Sequence, residues 1–305
     1  MHKLILSPWG RLGDEITTIV AASAIGKIRG VEFQKVSWVL WYQNRLQSKP
    51  LNICKGKPFK FNWRYVVRNF DPANKSGLVR ITSFFRILIA LGVRFDKLKR
   101  ILMRTEFFSN ESIKSPIDIH GSNRVEINVS NISVDLAVLG VKNLAQASLR
   151  NPDQTDLKFM EKVKNSRTIC LHIRRGDTVG DAKRGVLDSE YWLNAVSVIS
   201  QGTDLSEFSL LVFTDDHLGA LRTIEKFSDN LKKVEFTPFL DEPARDFVLM
   251  ANASNLLIAN SAFSRWAGVF NSVHNKGRVV SPSQINMIEK GWGLPEWEYV
   301  GVSWN

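Results

Sequence analysis

A chain of 305 residues, 44% apolar and 23% charged with a net charge of +11, is long enough to hold two separately cored domains. Its two cysteines, Cys54 and Cys170, exclude a disulfide-stapled scaffold and point to a reducing compartment. No stretch reaches the roughly 18 uninterrupted apolar residues of a spanning helix. The apolar run of the first ten residues, broken at Pro8 and Gly10, is too short for a signal peptide, so a cytoplasmic protein, soluble or peripheral to the membrane face, is expected.

The charge is unevenly spread. Residues 1–150 hold 24 of the 41 Lys and Arg and 10 of the 30 Asp and Glu, which leaves that half at +14 and the remainder at −3. Such asymmetry suits an anionic partner, with a membrane surface or charged glycolipid preferred. Nucleic acid is disfavoured because no zinc-finger, helix-turn-helix or RNA-recognition signature accompanies the basic residues.

Taken in order, the chain opens as a strand (Lys3–Ser7), a glycine turn (Gly10-Arg11-Leu12-Gly13) and a helix from about Glu15 to Lys27, with Ile16, Ile19, Val20, Ala24 and Ile28 on one face. Gly10 and Gly13 could let the backbone approach a ligand at the following helix N-terminus. A strand is expected at Val36–Trp41 and irregular structure over 46–74. Gly77–Phe108 combines an apolar stripe (Leu78, Ile81, Phe84, Phe85, Leu88) with seven basic residues, the pattern of a helix packed on a sheet or laid on an anionic lipid surface. The polar, Lys-rich segment Asp153–Asn165 reads as a connection between domains 1–160 and 161–305.

Beyond it, strands and helices alternate: strand Thr168–Ile173, helix Ser189–Ser200 capped by Asp188, strand Phe208–Thr214, helix Leu218–Phe227, strand Lys233–Phe236, helix Pro243–Ala253, strand Leu256–Ala259, a helix after Ser264, and strand Arg278–Ser281. This alternation predicts a doubly wound parallel sheet. Thr168–Ile173 is apolar on both alternating faces and then runs into Arg174 and Arg175. Two guanidinium groups at a strand's carboxyl end either meet an anionic ligand or pair with carboxylates that hold the loop. Asp215 and Asp216 end the next strand, as ligand acceptors or as the cap of its helix. Asn260-Ser261-Ala262-Phe263-Ser264 lies at a strand-to-helix junction that suits a phosphate, whereas His217 and His274 stand alone, with surface or core roles.

These pieces resemble, in order, the α-1,2-fucosyltransferase family. His172-Ile173-Arg174-Arg175-Gly176-Asp177 looks like the His-x-Arg-Arg-x-Asp signature and Phe213-Thr214-Asp215-Asp216 like a second block. Asp246–Met250 with Ile258–Trp266 resembles a third, and Gly10–Glu15 is similar to the family's Gly-x-Leu-Gly-Asn-Gln turn, with Asp14-Glu15 replacing Asn-Gln and Arg265 standing where a tryptophan is usual. The likeness covers about 165–285 well, 4–30 more loosely, and none of 31–160.

The resemblance implies an α/β GT-B glycosyltransferase: two Rossmann-like domains facing a cleft, GDP-fucose on the C-terminal one and the acceptor sugar on the N-terminal one. It implies inverting transfer of L-fucose to a galactoside-type hydroxyl, α-1,2 linked, on a cell-surface glycan or glycolipid precursor, with no metal and no cofactor besides the donor. Competing readings are a glycosyltransferase using another nucleotide sugar, and a non-catalytic glycan- or nucleic-acid-binding protein on the same fold.

By the same pattern Arg174, on one strand face with His172, is expected at the β-phosphate, and Arg175 on the opposite face as partner of Asp177. Asp216, or else Asp215, is expected at the guanine ring nitrogens, with Asn260, Ser261, Phe263 and Ser264 around the phosphates and Asp246 orienting the arginines. Asp14 and Glu15 are the candidates for the catalytic base, or serve only the dipole of the helix they begin.

Overall fold

The computed structural model describes residues 3–6, 12–29, 51–52, 106–108, 124–127, 132–149, 151–180, 185–239, 242–284 and 293–302. Among these, two parallel sheets form. One joins β1 (Lys3–Leu6), β4 (Arg124–Ile127) and β3 (Glu106–Phe108) in the order β1-β4-β3. The other has six strands: β6 (Thr168–Ile173), β7 (Ser209–Thr214), β8 (Lys233–Phe236), β9 (Asn255–Leu257), β10 (Arg278–Pro282) and β11 (Glu298–Val300). A short antiparallel pair, β2 (Leu51–Asn52) with β5 (Ser148–Leu149), lies apart. The chain is therefore of the expected α/β class, with the two-sheet organisation a GT-B glycosyltransferase requires.

Alternation along the strands of the large sheet sorts their side chains onto two apolar layers. Ile169, Leu171 and Ile173 of β6 join Leu210 and Val212 of β7, Leu257 and Val280 in one core. Cys170 joins Leu211, Phe213, Leu256 and Val279 in the other. The first face is covered by α4 (Ser189–Ser200), through Tyr191, Trp192 and Val196, and by α5 (His217–Ser228), through Ala220, Ile224 and Phe227. The second face carries α6 (Pro243–Ala251) and α7 (Ala262–His274), through Phe247, Val248, Trp266 and Phe270. A strand buried on both faces reads as one apolar run, which is why β6 has no polar alternation. Cys170 is buried in that strand as a free thiol, and burial pushes it far above the usual thiol range.

The N-terminal helix α1 (Leu12–Arg29) is drawn into the second layer. Leu12, Ile16, Ile19 and Val20 share one core with Trp266 and Phe270 of α7, and the Trp266 indole donates to Thr17 Oγ1 at 2.6 Å. Close approach rests on two glycines. A Cβ on Gly13 would meet the backbone nitrogen of Phe263 at 2.7 Å, and one on Gly140 would collide with the carbonyl oxygen of Val20. Gly140 lies in α2 (Val134–Asn143), and its carbonyl accepts from Ser23 Oγ at 3.0 Å.

Two sequence expectations change. Asp153–Asn165 is not a connection but α3 (Gln154–Lys164), opened by a capping box in which Asp153 and Asp156 each accept the other's amide. Phe159 and Val163 are buried, together with Asp156, which pairs with Arg245, while most of its other polar residues are exposed, so low mean apolarity hid a one-sided helix. Residues of this helix and of α2 sit in one core with those of α6 and α7, across the expected 160/161 division. Within the stretch read as helical over Gly77–Phe108, Glu106–Phe108 is a strand held by parallel pairing to β4. The expected strand at Val36–Trp41, the lipid-facing stripe over 78–91 and Gly10 lie outside the described residues. No described helix is long and apolar enough to cross a membrane.

Replacing Gly140 with Ala puts a methyl group against a backbone carbonyl that cannot swing aside. We expect a loss of about 1–3 kcal/mol, the usual cost of overpacking, read as a fall of several degrees in Tm by calorimetry. An unchanged Tm would mean that α1 and α2 do not approach as closely as described.

Candidate functional site

The strand order β11-β10-β9-β6-β7-β8 contains one reversal. From β6 the chain steps outward to β7 and β8, returns to the other side of β6 as β9, and steps outward again to β10 and β11. The connections leaving β6 and β9 diverge, and a crevice opens at their carboxyl ends, where ligands of open parallel sheets bind. Arg174 follows β6 and Asn260-Ser261 follow β9.

Register determines what meets at the first edge. β6 pairs with β7 through Ile173 and Thr214, so the next residues in line are Arg174 opposite Asp215 and Arg175 opposite Asp216. Both ion pairs form. The Arg174 guanidinium is paired with Asp215 Oδ2. Asp215 Oδ1 accepts the backbone amides of Arg175 at 2.9 Å and Gly176 at 3.1 Å, so one carboxylate holds both the arginine and the turn that carries it. A Cβ on Gly176 would strike that carboxylate and push it from this position.

On the opposite face Arg175 Nε lies 3.2 Å from Asp216 Oδ2, and Arg175 Nη1 donates to Thr223 Oγ1 at 3.4 Å. Asp216 Oδ1 accepts from Gly219 N at 2.9 Å and so caps α5. The Gly219 amide foremost, aided by Arg175, holds the Asp216 carboxyl below the usual carboxylate range. Asp216 is thus placed as a cap and an arginine partner, and Arg175 pairs with Asp216. The Asp177 side chain lies outside the described residues.

The second edge is built by β9 and α7. Tyr191 Oη donates to the Ile258 carbonyl at 3.0 Å, which fixes the chain just past β9, and Asn260 Nδ2 donates to Gly185 O at 3.4 Å. Ser261 caps α7 by accepting from Phe263 N at 3.2 Å. Phe263 is the meeting point. Its ring packs against His172 at 5.5 Å and Phe247 at 5.8 Å between centroids, and its amide nitrogen lies against Gly13. Ser264 faces away from the crevice: it is fully buried, with its hydroxyl donating to the Ala259 carbonyl at 3.3 Å.

Among the buried polar atoms with no hydrogen-bond partner among the described residues are His172 Nδ1 and Asp246 Oδ1. Burial pushes the His172 imidazole down to about 4, so it is neutral at physiological pH. Burial first, against a hydrogen bond from Thr237 and with the charge of Glu242, raises the Asp246 carboxyl to about 7. The expected role of Asp246 in orienting the arginines is not seen, because Asp215 and Asp216 fill it.

Asp14 and Glu15 stand in the first turn of α1, one and two residues beyond the glycine that abuts Phe263, but their side chains are outside the described residues. His217 stacks on Phe236 at 3.9 Å, and His274 Nε2 lies 3.2 Å from the Val141 carbonyl, both structural positions. Sequence reasoning missed that Gly13 serves helix contact and that Phe263 links three elements. The large apolar residue between two serines at a cap was the available signal.

Residues 140–300, more than half of the chain, match the model of glycosyl transferase family 11, and the chain belongs to that family. The described crevice is the candidate active site of this member of the family. The O-antigen biosynthesis glycosyltransferase WbnK of Escherichia coli is 33% identical over 139 residues, 42% of each chain. An α-1,2-colitosyltransferase of the same organism is 25% identical over 140 residues, 44% of this chain and 45% of that one. The matched segments thus span under half the length of these relatives. The fucosyltransferase NodZ from Bradyrhizobium is more loosely similar in structure, with a TM-score of 0.49 at 15% identity over 88% of this chain and 92% of that one.

The Asp246 shift has a definite sign. A carboxyl whose folded pKa is about 7 stabilises the fold by holding its proton where the unfolded chain has lost it. That contribution is fully present below the unfolded value near 4 and is lost as pH rises through about 7. Asp246→Asn, which keeps the neutral shape, should match the wild type in Tm near pH 4 and exceed it at pH 8. Equal Tm values at both pH values would show that the carboxyl is not desolvated.

Proposed function

We propose that the protein transfers L-fucose, or a closely related sugar such as colitose, from a GDP-linked donor to a galactoside-type hydroxyl of a surface glycan, with α-1,2 linkage and inversion. The observation that carries the nucleotide-sugar reading is the pair of arginines fixed by Asp215 and Asp216 at the switch point beside the capped end of α7. As the bond from the anomeric carbon to the β-phosphate oxygen breaks, its electron pair stays on that oxygen. Preorganised guanidinium and amide donors are suited to receive the charge without a metal ion.

The division of labour follows from the faces. Arg174 lies on the side of His172, Phe263 and α1, and is the residue proposed to meet the β-phosphate. Arg175 lies on the α5 side, tied to its cap, and is proposed to keep the strand end and helix in register. Fucose and the α-1,2 linkage are supported by the signature blocks, and colitose by the relative's specificity for an α-1,2-linked colitosyl group. The acceptor reading is supported by the O-antigen role of WbnK.

Donor turnover with GDP-fucose, GDP-linked colitose, GDP-mannose and UDP-sugars tests this function. GDP-fucose or the colitose donor should be consumed in preference, and consumption of UDP-sugars alone would overturn the donor assignment. In the same assay Arg174→Ala should lower turnover by about a hundredfold or more. Arg174→Lys should recover little of it, because an ammonium lacks the planar fork that engages two oxygens at once.

A further inference from the structure

The turn that carries the two arginines buries an unexpected residue for a surface loop. Gly176, Val179 and Gly180 are exposed, Val179 by 55%, whereas Thr178 among them is only 5% exposed. An apolar side chain left in water beside a hydroxyl taken out of it runs against the usual order, and the burial of the hydroxyl has to be met by hydrogen bonds. The backbone just upstream meets it. Thr178 Oγ1 donates to the Arg175 carbonyl at 2.8 Å and lies 3.4 Å from the carbonyl of Arg174.

Those carbonyls belong to the two peptide units that leave Arg174. The amides of the same two units, Arg175 N and Gly176 N, donate to Asp215 Oδ1. Both peptide planes are therefore held at both ends, by a carboxylate of the neighbouring strand on the amide side and by the threonine hydroxyl on the carbonyl side. The backbone amides of Thr178 and Val179 also close on the Arg175 carbonyl, at 2.8 and 2.9 Å, but any residue except proline supplies such donors. The contact with the Arg174 carbonyl comes from the Thr178 side chain.

We propose that Thr178 is a positioning residue for Arg174: its hydroxyl fixes the peptide units from which the guanidinium is aimed, and it does not itself touch the donor. This rests on the reading of Arg174 as the residue that meets the leaving diphosphate. Asp215 holds the amide ends and Thr178 the carbonyl ends, so loss of either leaves a plane hinged at the other. Rotation of such a plane changes the backbone angles at Arg174 and swings the head of a long side chain. A group that must receive charge as a bond breaks has to be in place beforehand, so a shift of under an ångström is felt in the rate.

The test is turnover of GDP-fucose and of GDP-linked colitose by the full chain, for Thr178→Val, Thr178→Ser and the double variant of Thr178→Val with Arg174→Ala. Thr178→Val keeps the branched shape and removes the hydroxyl, and should lower kcat by about tenfold, short of the hundredfold that a full ångström of misplacement can cost. Thr178→Ser keeps the hydroxyl and should recover most of the loss. In the Arg174→Ala background Thr178→Val should cost nothing further, because no guanidinium is left to aim. Wild-type turnover in Thr178→Val would overturn the proposal and leave the proposed function standing. The same fold loss in both backgrounds would overturn it too, since that is what a general effect on folding produces. Wild-type turnover in Arg174→Ala would overturn the reading of Arg174, and a wild type that consumed neither donor would overturn the proposed function; the inference falls with either.

Discussion

The pairing of Asp215 with Arg174 and with the turn amides behind it is the constraint on which the site depends. A guanidinium at the end of a buried strand would be costly without a partner. The same carboxylate that supplies one also receives two amides from the turn, so the arginine and its backbone are positioned by a single group on the neighbouring strand. That arrangement follows from the parallel register of β6 and β7, which puts the two residues side by side, and residue 176, with no side chain, leaves the carboxylate its place. Arg175 and Asp216 repeat the pairing on the other face, where it fastens the strand end to the cap of α5.

The second constraint is the close contact of α1 with α7. Gly13 lies against Phe263, and Thr17 accepts from Trp266, so a segment more than 240 residues away in sequence is fastened within one turn of the helix cap at Ser261. A helix from the amino-terminal part of the chain therefore contributes to the layer that covers the six-stranded sheet. Phe263 transmits this contact to His172 through its ring. The site is thus assembled from β6, β7, β9, α7 and the start of α1.

Much of this was legible in the sequence. The apolar run of β6, buried on both faces, stood out because nothing polar interrupts residues 169–171, and the two arginines that follow had to be paired or bound. Strand and helix alternation after residue 168 gave the parallel sheet. The order of the strands was not legible, because a return to the other side of β6 leaves no local trace in composition. The capping box of α3 was overlooked because its Asp-x-x-Asp form was overshadowed by the surrounding lysines. The pairings of Arg174 with Asp215 and of Arg175 with Asp216 were not legible for a related reason: these residues are near only through strand register. Conversely, the cap role of Asp216 was readable from its place before a helix, and it competes with ligand binding for the same oxygens.

The central claim, that Asp215 serves the anion site by holding Arg174 and its turn in place, is most directly tested by the affinity of Asp215→Asn for a nucleoside diphosphate, measured by calorimetry beside the wild type. Removing a negative charge near an anion site should strengthen binding if electrostatics alone governed it. The account predicts the reverse: weaker binding, because the guanidinium loses the carboxylate that aims it. Unchanged or tighter binding in the variant would contradict it.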